Sequence, residues 1–217
     1  MNAIGQSSAQ FALRDPDVRL MLRVRADEVG AFEELVQTFQ GRLVSIMFHM
    51  VGNREEAEDL AQEVFLRVFK SRKSYHPKAK FSTWLFTIAN NLALNSIRNR
   101  KKKPSVPFVA SESGTFHQIP ADLRLPPKEE HPSSQIQNDE LAQVIQKALE
   151  GLNERQRMAV VLNKYEDMNY ADIASVMELT PKAVKSLLSR ARLNLKEALK
   201  AYIYMDQGFG EIRSEEA

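Results

Sequence analysis

The 217-residue sequence predicts an all-α fold of two small helical domains joined by a linker. Three observations carry that expectation. Apolar residues recur at helical spacing from Ala31 to Lys102 and again from Leu141 to Ala201. No stretch alternates apolar and polar residues over a useful length, and six prolines interrupt residues 104–134. That interrupted stretch is longer than a loop inside one compact domain normally is, so it reads as a tether. The expected organisation is a lead-in over 1–25, a first domain over 26–103, a linker over 104–134, a second domain over 135–203 and a tail over 204–217.

The lead-in is weakly patterned, with a short helix expected near Val18 to Val24 and little function. From Ala31 onward Phe32, Leu35, Val36, Phe39, Leu43, Ile46, Met47 and Met50 mark one apolar stripe that stops at Gly52. Asn53 then stands where an N-cap belongs, with Glu56 three residues on to close a capping box. The helix it starts should run to about Phe69 and lie antiparallel to the first. A basic loop, Ser71 to Lys80, is broken by Pro77. Beyond it Phe81, Trp84, Leu85, Ile88, Ala89, Leu92 and Ile97 repeat the helical pattern to about Lys102, with Trp84 expected in the core. After the linker, Leu141, Val144, Ile145, Ala148, Leu149 and Leu152 make one helix. Asn153 with Gln156 caps the next, which carries Met158, Val161, Leu162 and Tyr165. Two shorter helices, about Tyr170 to Met177 and Pro181 to Ala201, complete the second domain.

Composition excludes several chemistries. With no cysteine, the chain has no disulfide, thiolate metal site or cysteine nucleophile, and its four histidines lie too far apart to suggest a metal site. No metal and no cofactor is expected. No apolar run reaches the roughly 18 residues of a membrane span, and the start lacks the pattern of a signal peptide, so a cytoplasmic protein is the default. No carboxylate cluster, nucleophile constellation or phosphate-binding glycine loop suggests an enzyme.

Charge is segregated although the net is only +2. Val64 to Lys103 holds eleven Lys or Arg and no Asp or Glu, whereas acids gather at Glu55 to Glu63 and Asp122 to Glu140. A one-signed field of that length suits a polyphosphate partner, and Tyr75, His76, Phe81 and Trp84 interleave it. A solvated basic surface around a core tryptophan fits the same charges, so other features must decide.

Tyr170 to Arg192 has the spacing of a helix-turn-helix. Ala174 lets the two helices approach, Ile173, Met177, Leu179, Val184 and Leu187 pin their crossing, and Thr180–Pro181 caps the second helix. Glu178 stands where the turn favours glycine, and a left-handed residue there costs on the order of 1 kcal/mol. On the second helix Val184, Leu187, Leu188, Ala191 and Leu195 form the buried stripe. Lys182, Lys185, Ser186, Ser189, Arg190 and Arg192 are left facing outward, with no acid from Thr180 through Lys196. Such a helix can read base edges with Arg190 while Lys182 and Arg192 hold phosphates.

On the helix after Asn53, Leu60, Ala61, Val64, Phe65 and Val68 share the core face, and Leu66 points the other way among Asp59, Gln62 and Glu63. A lone exposed leucine is usually without meaning. Set in an acidic stripe on an otherwise basic module, it suggests a second macromolecular surface, for protein.

Four segments in order, DLAQEVFLRVF at 59–69, FSTWLFTIANNLALNSIR at 81–98, LNERQRMAVVL at 152–162 and YADIASVMELTPKAVKSLLSRAR at 170–192, resemble the extracytoplasmic-function (ECF) sigma factors of the bacterial sigma-70 family. The resemblance implies a sigma-2-like bundle and a sigma-4-like helix-turn-helix domain. Its expected partners are promoter DNA and core RNA polymerase, through the β′ clamp helices and the β subunit, with an anti-sigma factor as a candidate inhibitor. It implies that Asp59, Gln62, Glu63 and Leu66 face polymerase. It places capture of an extruded minus-10 base at Ser71 to Ser82, with Tyr75, His76, Lys78, Lys80 and Phe81, and a polar stripe of Asn91, Asn95, Arg98 and Lys102 along the strand. Lys185, Ser186, Ser189 and Arg190 match the minus-35 base-reading positions. The rival is a stand-alone helix-turn-helix regulator that forms no complex with polymerase.

Overall fold

The computed structural model describes residues 14–102 and 132–211, all helix and connecting turns with no strand among them. In chain order the helices are α1 (Pro16–Arg25), α2 (Ala31–Val51), α3 (Arg54–Ser71), α4 (Phe81–Lys102), α5 (Pro132–Glu150), α6 (Glu154–Lys164), α7 (Tyr170–Met177) and α8 (Pro181–Glu211), with a 3-10 turn at Arg72–Ser74.

Local chemistry sets most of these boundaries. The Asp15 carboxylate accepts from the backbone N–H groups of Asp17 and Val18, and Pro16 opens α1. Gly52 ends α2 in the left-handed conformation, its N–H bonded to Phe48 O at 2.8 Å. The positive φ of 77° is what favours glycine here; a Cβ would also lie 2.8 Å from Glu150 Oε1, a side-chain tip that can move aside. Asn53 caps α3 by accepting from Glu56 N at 2.9 Å, but the expected capping box stays half made. The Glu56 carboxylate turns to Ser96 Oγ (2.6 Å) and Arg100 Nη1 (3.3 Å) on α4, tying two helices instead of closing one turn. At Asn153 and Gln156 both halves of the box form. Helix α5 begins at Pro132, three residues before the expected domain start, and α8 runs past Ala201 to Glu211, into the expected tail. The linker residues before Pro132, and with them the tether expectation, lie outside the described residues.

The α2–α3 hairpin is the most extensive pairing, with α1 and α4 laid against it; α6, α7 and α8 pack together, and α5 lies along α8. Phe39, Phe81, Phe86, Leu35, Leu43 and Met47 fill the first set, and Met158, Val161, Ile173, Val184 and Ala191 the second. The two sets meet face to face, α4 against α7 and α2 against α6, and their buried side chains form one continuous core.

Polar groups thread this seam. Glu166, its side chain only 3% exposed, accepts from Arg42 Nε at 2.8 Å and from Nη2 of the same guanidinium. Arg42 in turn lies 5.1 and 5.4 Å from the ring centres of Phe39 and Phe86. His49 Nδ1 pairs with Gln146 Oε1 at 3.0 Å while its ring stacks on Tyr165 at 4.1 Å. Arg157 donates to Met50 O (2.8 Å) and Glu150 O (2.6 Å), satisfying carbonyls at the ends of α2 and α5.

Candidate nucleic-acid interface

The helix-turn-helix forms as its residues dictate. Asn169 Oδ1 accepts from Ala171 N and Asp172 N, both at 2.9 Å, to start α7. Glu178 takes the left-handed conformation (φ 54°, ψ 46°), the strained turn position expected of it. Leu179 N reaches back to Ala174 O at 2.9 Å, and Thr180 Oγ1 accepts from Ala183 N at 3.2 Å to start α8. Ile173, Ala174, Val184, Leu188 and Ala191 are buried between the helices, with Leu187 and Leu195 partly so.

Lys182, Lys185, Ser186, Ser189, Arg190 and Arg192 all stand exposed on the other face of α8. Arg190 Nε donates to Ser186 O at 3.3 Å, which leans its guanidinium along the helix. Arg192 Nη2 donates to Tyr170 Oη at 3.2 Å, so this arginine is anchored to α7. Leu193, 62% exposed, lies in a shallow depression with Ser189, Arg190 and Lys196. An apolar side chain among these cations can contact a thymine methyl. Its sequence signal was its place off the buried stripe.

The loop before α4 departs from expectation in one respect. Tyr75 and Phe81 are buried, not presented to solvent. With Trp84 they form an aromatic cluster, ring centres 4.9 Å (Tyr75–Trp84) and 5.8 Å (Phe81–Trp84) apart, backed by Phe39 at 5.1 Å from Phe81. A ring enclosed on both faces offers no platform to a base, so Tyr75 and Phe81 support the loop and do not stack on the strand in this conformation. Burial also pushes the Tyr75 phenol well above the usual tyrosine range, keeping it neutral. Trp84, expected in the core, is only partly buried at the edge of that cluster.

His76, Lys78, Lys80, Asn91, Asn95, Arg98 and Lys102 are exposed. Two cations in this region are engaged by acids of the second helical set: Lys80 by Asp172 at 2.9 Å, and Lys101 by Glu154. Arg72 and Lys73, counted among the basic residues of the sequence, are both held by Asp27. The field available to a phosphate chain is therefore narrower than the count of eleven suggests.

On α3, Ala57, Ala61, Val64, Phe65 and Val68 are buried. Asp59, Gln62 and Leu66 are exposed, the last at 52%, and Glu63 is half-exposed and paired with Arg67 Nε at 2.9 Å. Leu66 is not alone. Phe69, one turn on, is also exposed, sandwiched between Phe32 (5.0 Å) and the Arg72 guanidinium (3.9 Å). The sequence pattern missed Phe69 because it sits beside the buried stripe, where only neighbouring helices decide its fate.

Among the described residues no group of three or more His, Asp or Glu could hold a metal, and no helix is long and apolar enough to cross a membrane.

Residues 35–103 match the family model for sigma-70 region 2, and residues 142–195 match that for sigma-70 region 4. These spans enclose the α2–α4 face and the helix-turn-helix. The chain is 31% identical over 183 residues to the ECF RNA polymerase sigma factor SigW of Bacillus subtilis, covering 82% of this chain and 94% of that protein. It is 29% identical over 187 residues to the RNA polymerase sigma-H factor of Pseudomonas aeruginosa, covering 86% and 95% respectively. Its fold matches that of the sigma factor RpoE of Bartonella quintana, solved in complex with the anti-sigma factor NepR, with a TM-score of 0.60, 25% identity and coverage of 79% of this chain and 98% of that one. A region-2 bundle and a region-4 helix-turn-helix in one chain, near full-length likeness to such factors and a cationic face on α8 lead to one conclusion: the chain belongs to the extracytoplasmic-function group of the sigma-70 family and directs promoter-specific initiation of transcription.

Proposed function

We propose that this sigma factor divides promoter recognition among three faces: α8 reads the minus-35 duplex, loop 71–82 with α4 holds the minus-10 strand, and α3 docks on the β′ clamp helices of core polymerase. The observation that carries the reading is the sidedness of α8. Lys185, Ser186, Ser189 and Arg190 are exposed together opposite buried Val184, Leu188 and Ala191. Such a helix places Arg190 at guanine edges, where a bidentate pair discriminates by about 1–3 kcal/mol, and leaves Lys182 and Arg192 to phosphates.

For the minus-10 strand the loop offers exposed His76 and Lys78, and α4 offers exposed Asn91, Asn95, Arg98 and Lys102. A melted base pair loses on the order of 1–2 kcal/mol of stacking, which capture of an extruded base and phosphate contacts together offset. No covalent step is assigned to this chain; RNA synthesis belongs to the polymerase, in the cytoplasm where chromosome and polymerase meet. On this reading, engaging both elements on one promoter requires the two helical sets to part. The likeness to RpoE, solved with an anti-sigma factor, supports a protein inhibitor as a further partner.

Purified core polymerase mixed with this chain and genomic DNA should initiate at discrete, mappable start sites, and Leu66→Asp should weaken holoenzyme formation at least tenfold. A folded chain in excess that leaves core polymerase silent on every template overturns the reading. A stand-alone regulator predicts no stoichiometric complex and no effect at Leu66.

A further inference from the structure

We propose that α1 is the positioning element of the minus-10 capture loop, with Asp15 and Arg25 as the residues that set its geometry; the proposal rests on the reading of loop 71–82 given above. The lead-in carries no base-reading motif and promised little from its sequence. In the structure each end of α1 grips one end of the loop.

The C-terminal end holds the loop's start. Arg25 Nη1 donates to Tyr75 O at 3.1 Å, and Lys73 Nζ donates to Arg25 O at 2.9 Å. Two residues on, the Asp27 carboxylate accepts from Arg72 Nε at 2.8 Å and from Lys73 Nζ. Those bonds, Lys73 first and then Arg72, hold the Asp27 carboxyl below the usual carboxylate range. Asp27 keeps a left-handed backbone (φ 57°), a conformation that persists in a non-glycine residue where its surroundings over-determine it.

The N-terminal end holds the loop's finish. Asp15 Oδ1 caps α1 through Asp17 N at 2.9 Å, while Oδ2 accepts from Phe81 N at 3.1 Å, the first backbone donor of α4. One carboxylate thus satisfies orphan N–H groups at two helix N-termini, where both dipoles favour it. The ten residues of α1 span about 15 Å, and Val18, Leu20, Met21 and Val24 bury its inner face, so it acts as a fixed strut between the two grips.

Between these anchors the loop's own bonds include Tyr75 N to Arg72 O at 3.2 Å, Ser74 Oγ to Ser71 O at 2.9 Å and His76 Nδ1 with Ser74 O at 2.7 Å. An irregular segment held from outside loses preorganisation when the holders go, and ordering it then falls to the moment of binding. Arg25 and Asp15 touch no base in this arrangement; they act through the backbone of Tyr75 and Phe81.

The test uses holoenzyme reconstituted with the full chain, and as probes the non-template minus-10 oligonucleotide and the minus-35 duplex of a promoter identified by start-site mapping. Arg25→Ala and Asp15→Ala should each weaken capture of the single strand about five- to tenfold, while affinity for core polymerase and for the minus-35 duplex stays unchanged. Asp15→Asn, whose single amide oxygen can serve Phe81 N or the α1 cap but not both, should recover only part of the loss. Arg23→Ala serves as the structural control, because it removes from α1 the pairs to Glu28 in the following turn and to Glu34 on α2 without touching the loop. Lys78→Ala checks the underlying reading. If Lys78→Ala weakens strand capture while Arg25→Ala and Asp15→Ala do not, positioning by α1 is overturned and the loop reading stands. Equal losses in Arg23→Ala would show general destabilisation and overturn it too. No loss in Lys78→Ala would sink the loop reading and this proposal with it.

Discussion

Removing Glu166 perturbs the seam between the two helical sets at its most buried charge. Glu166→Ala deletes a carboxylate that is 3% exposed and leaves the Arg42 guanidinium without its acceptor. Loss of one partner of a fully buried pair costs about 3–5 kcal/mol. Here Arg42 remains 41% exposed and rests on Phe39 and Phe86, so water and the aromatic faces recover part of that. Discounted for solvent, the expected cost is about 1–2 kcal/mol, a five- to thirtyfold shift toward separated sets. Burial outweighs the attraction of Arg42 and pushes the Glu166 carboxyl above the usual carboxylate range. A raised carboxyl favours the packed state most below its unfolded value near 4.5, and that contribution fades as pH rises through the folded value. Glu166→Gln keeps an acceptor without the charge, so at pH 7 it should close at least as well as the natural residue. Because the chain has no cysteine of its own, dyes on Glu33→Cys and Lys200→Cys report the separation without competing labels. The same cysteine pair combined with Arg42→Ala, Glu166→Ala and both completes a double-mutant cycle. An unchanged distance distribution in both single variants, or strict additivity in the double, would refute the argument that this pair fastens the seam.

His49 is buried, and its ordinary pKa is depressed first by burial, with the Gln146 bond opposing; its contribution to packing is present above about 6.5 and is lost as pH falls through the folded value. In the Glu166→Gln background, where the opposing carboxyl titration is absent, acidification should therefore open the seam, monitored with the same dyes, and His49→Phe should remove that dependence. Arg190→Ala should relax selection within the minus-35 element, whereas Lys102→Ala should weaken binding to many sequences and reduce its salt slope by about one; equal effects on every promoter would erase the distinction between reading and positioning. Glu178→Gly should raise stability by about 1 kcal/mol, seen as a higher melting temperature, because glycine takes the left-handed turn without the Cβ penalty.

What the sequence made legible was local. Asn153 with Gln156, Asn169, Gly52 and the spacing around Ala174 each state their own conformation within a few residues, and the cationic face of α8 follows from the stripe it opposes. Exposure of Leu66 was legible for the same reason. The burial of Tyr75 was not, since an aromatic residue in a basic loop has no periodicity to say which way it turns, whereas Phe81 opens the apolar pattern of α4 and its burial follows from that pattern. Glu56 shows the same limit, because a capping box and a tie to Ser96 and Arg100 use the same carboxylate, and only the position of α4 decides between them. Nor was the seam. Arg42 and Glu166 are 124 residues apart, His49 and Gln146 are 97 apart, and no rule of spacing links residues on opposite sides of an undescribed connection.

The seam also bears on how the molecule meets DNA. Asp172 lies on Lys80 and Glu154 on Lys101, so two acids of the helix-turn-helix set occupy cations of the strand-holding set where a phosphate would otherwise sit. The lysines are 58% and 69% exposed, and exposed pairs of this kind contribute about 0–1 kcal/mol each and are screened by salt. They are easily exchanged for phosphate contacts. Closure must then rest on what is buried: the Arg42–Glu166 pair, the stack of His49 on Tyr165 and the shared apolar core. Raising salt should thus loosen the lysine pairs while leaving the packed state largely intact, and Glu166→Ala in the same salt should open it. If salt alone parted the helical sets as far as Glu166→Ala does, the buried contacts would not be what holds them.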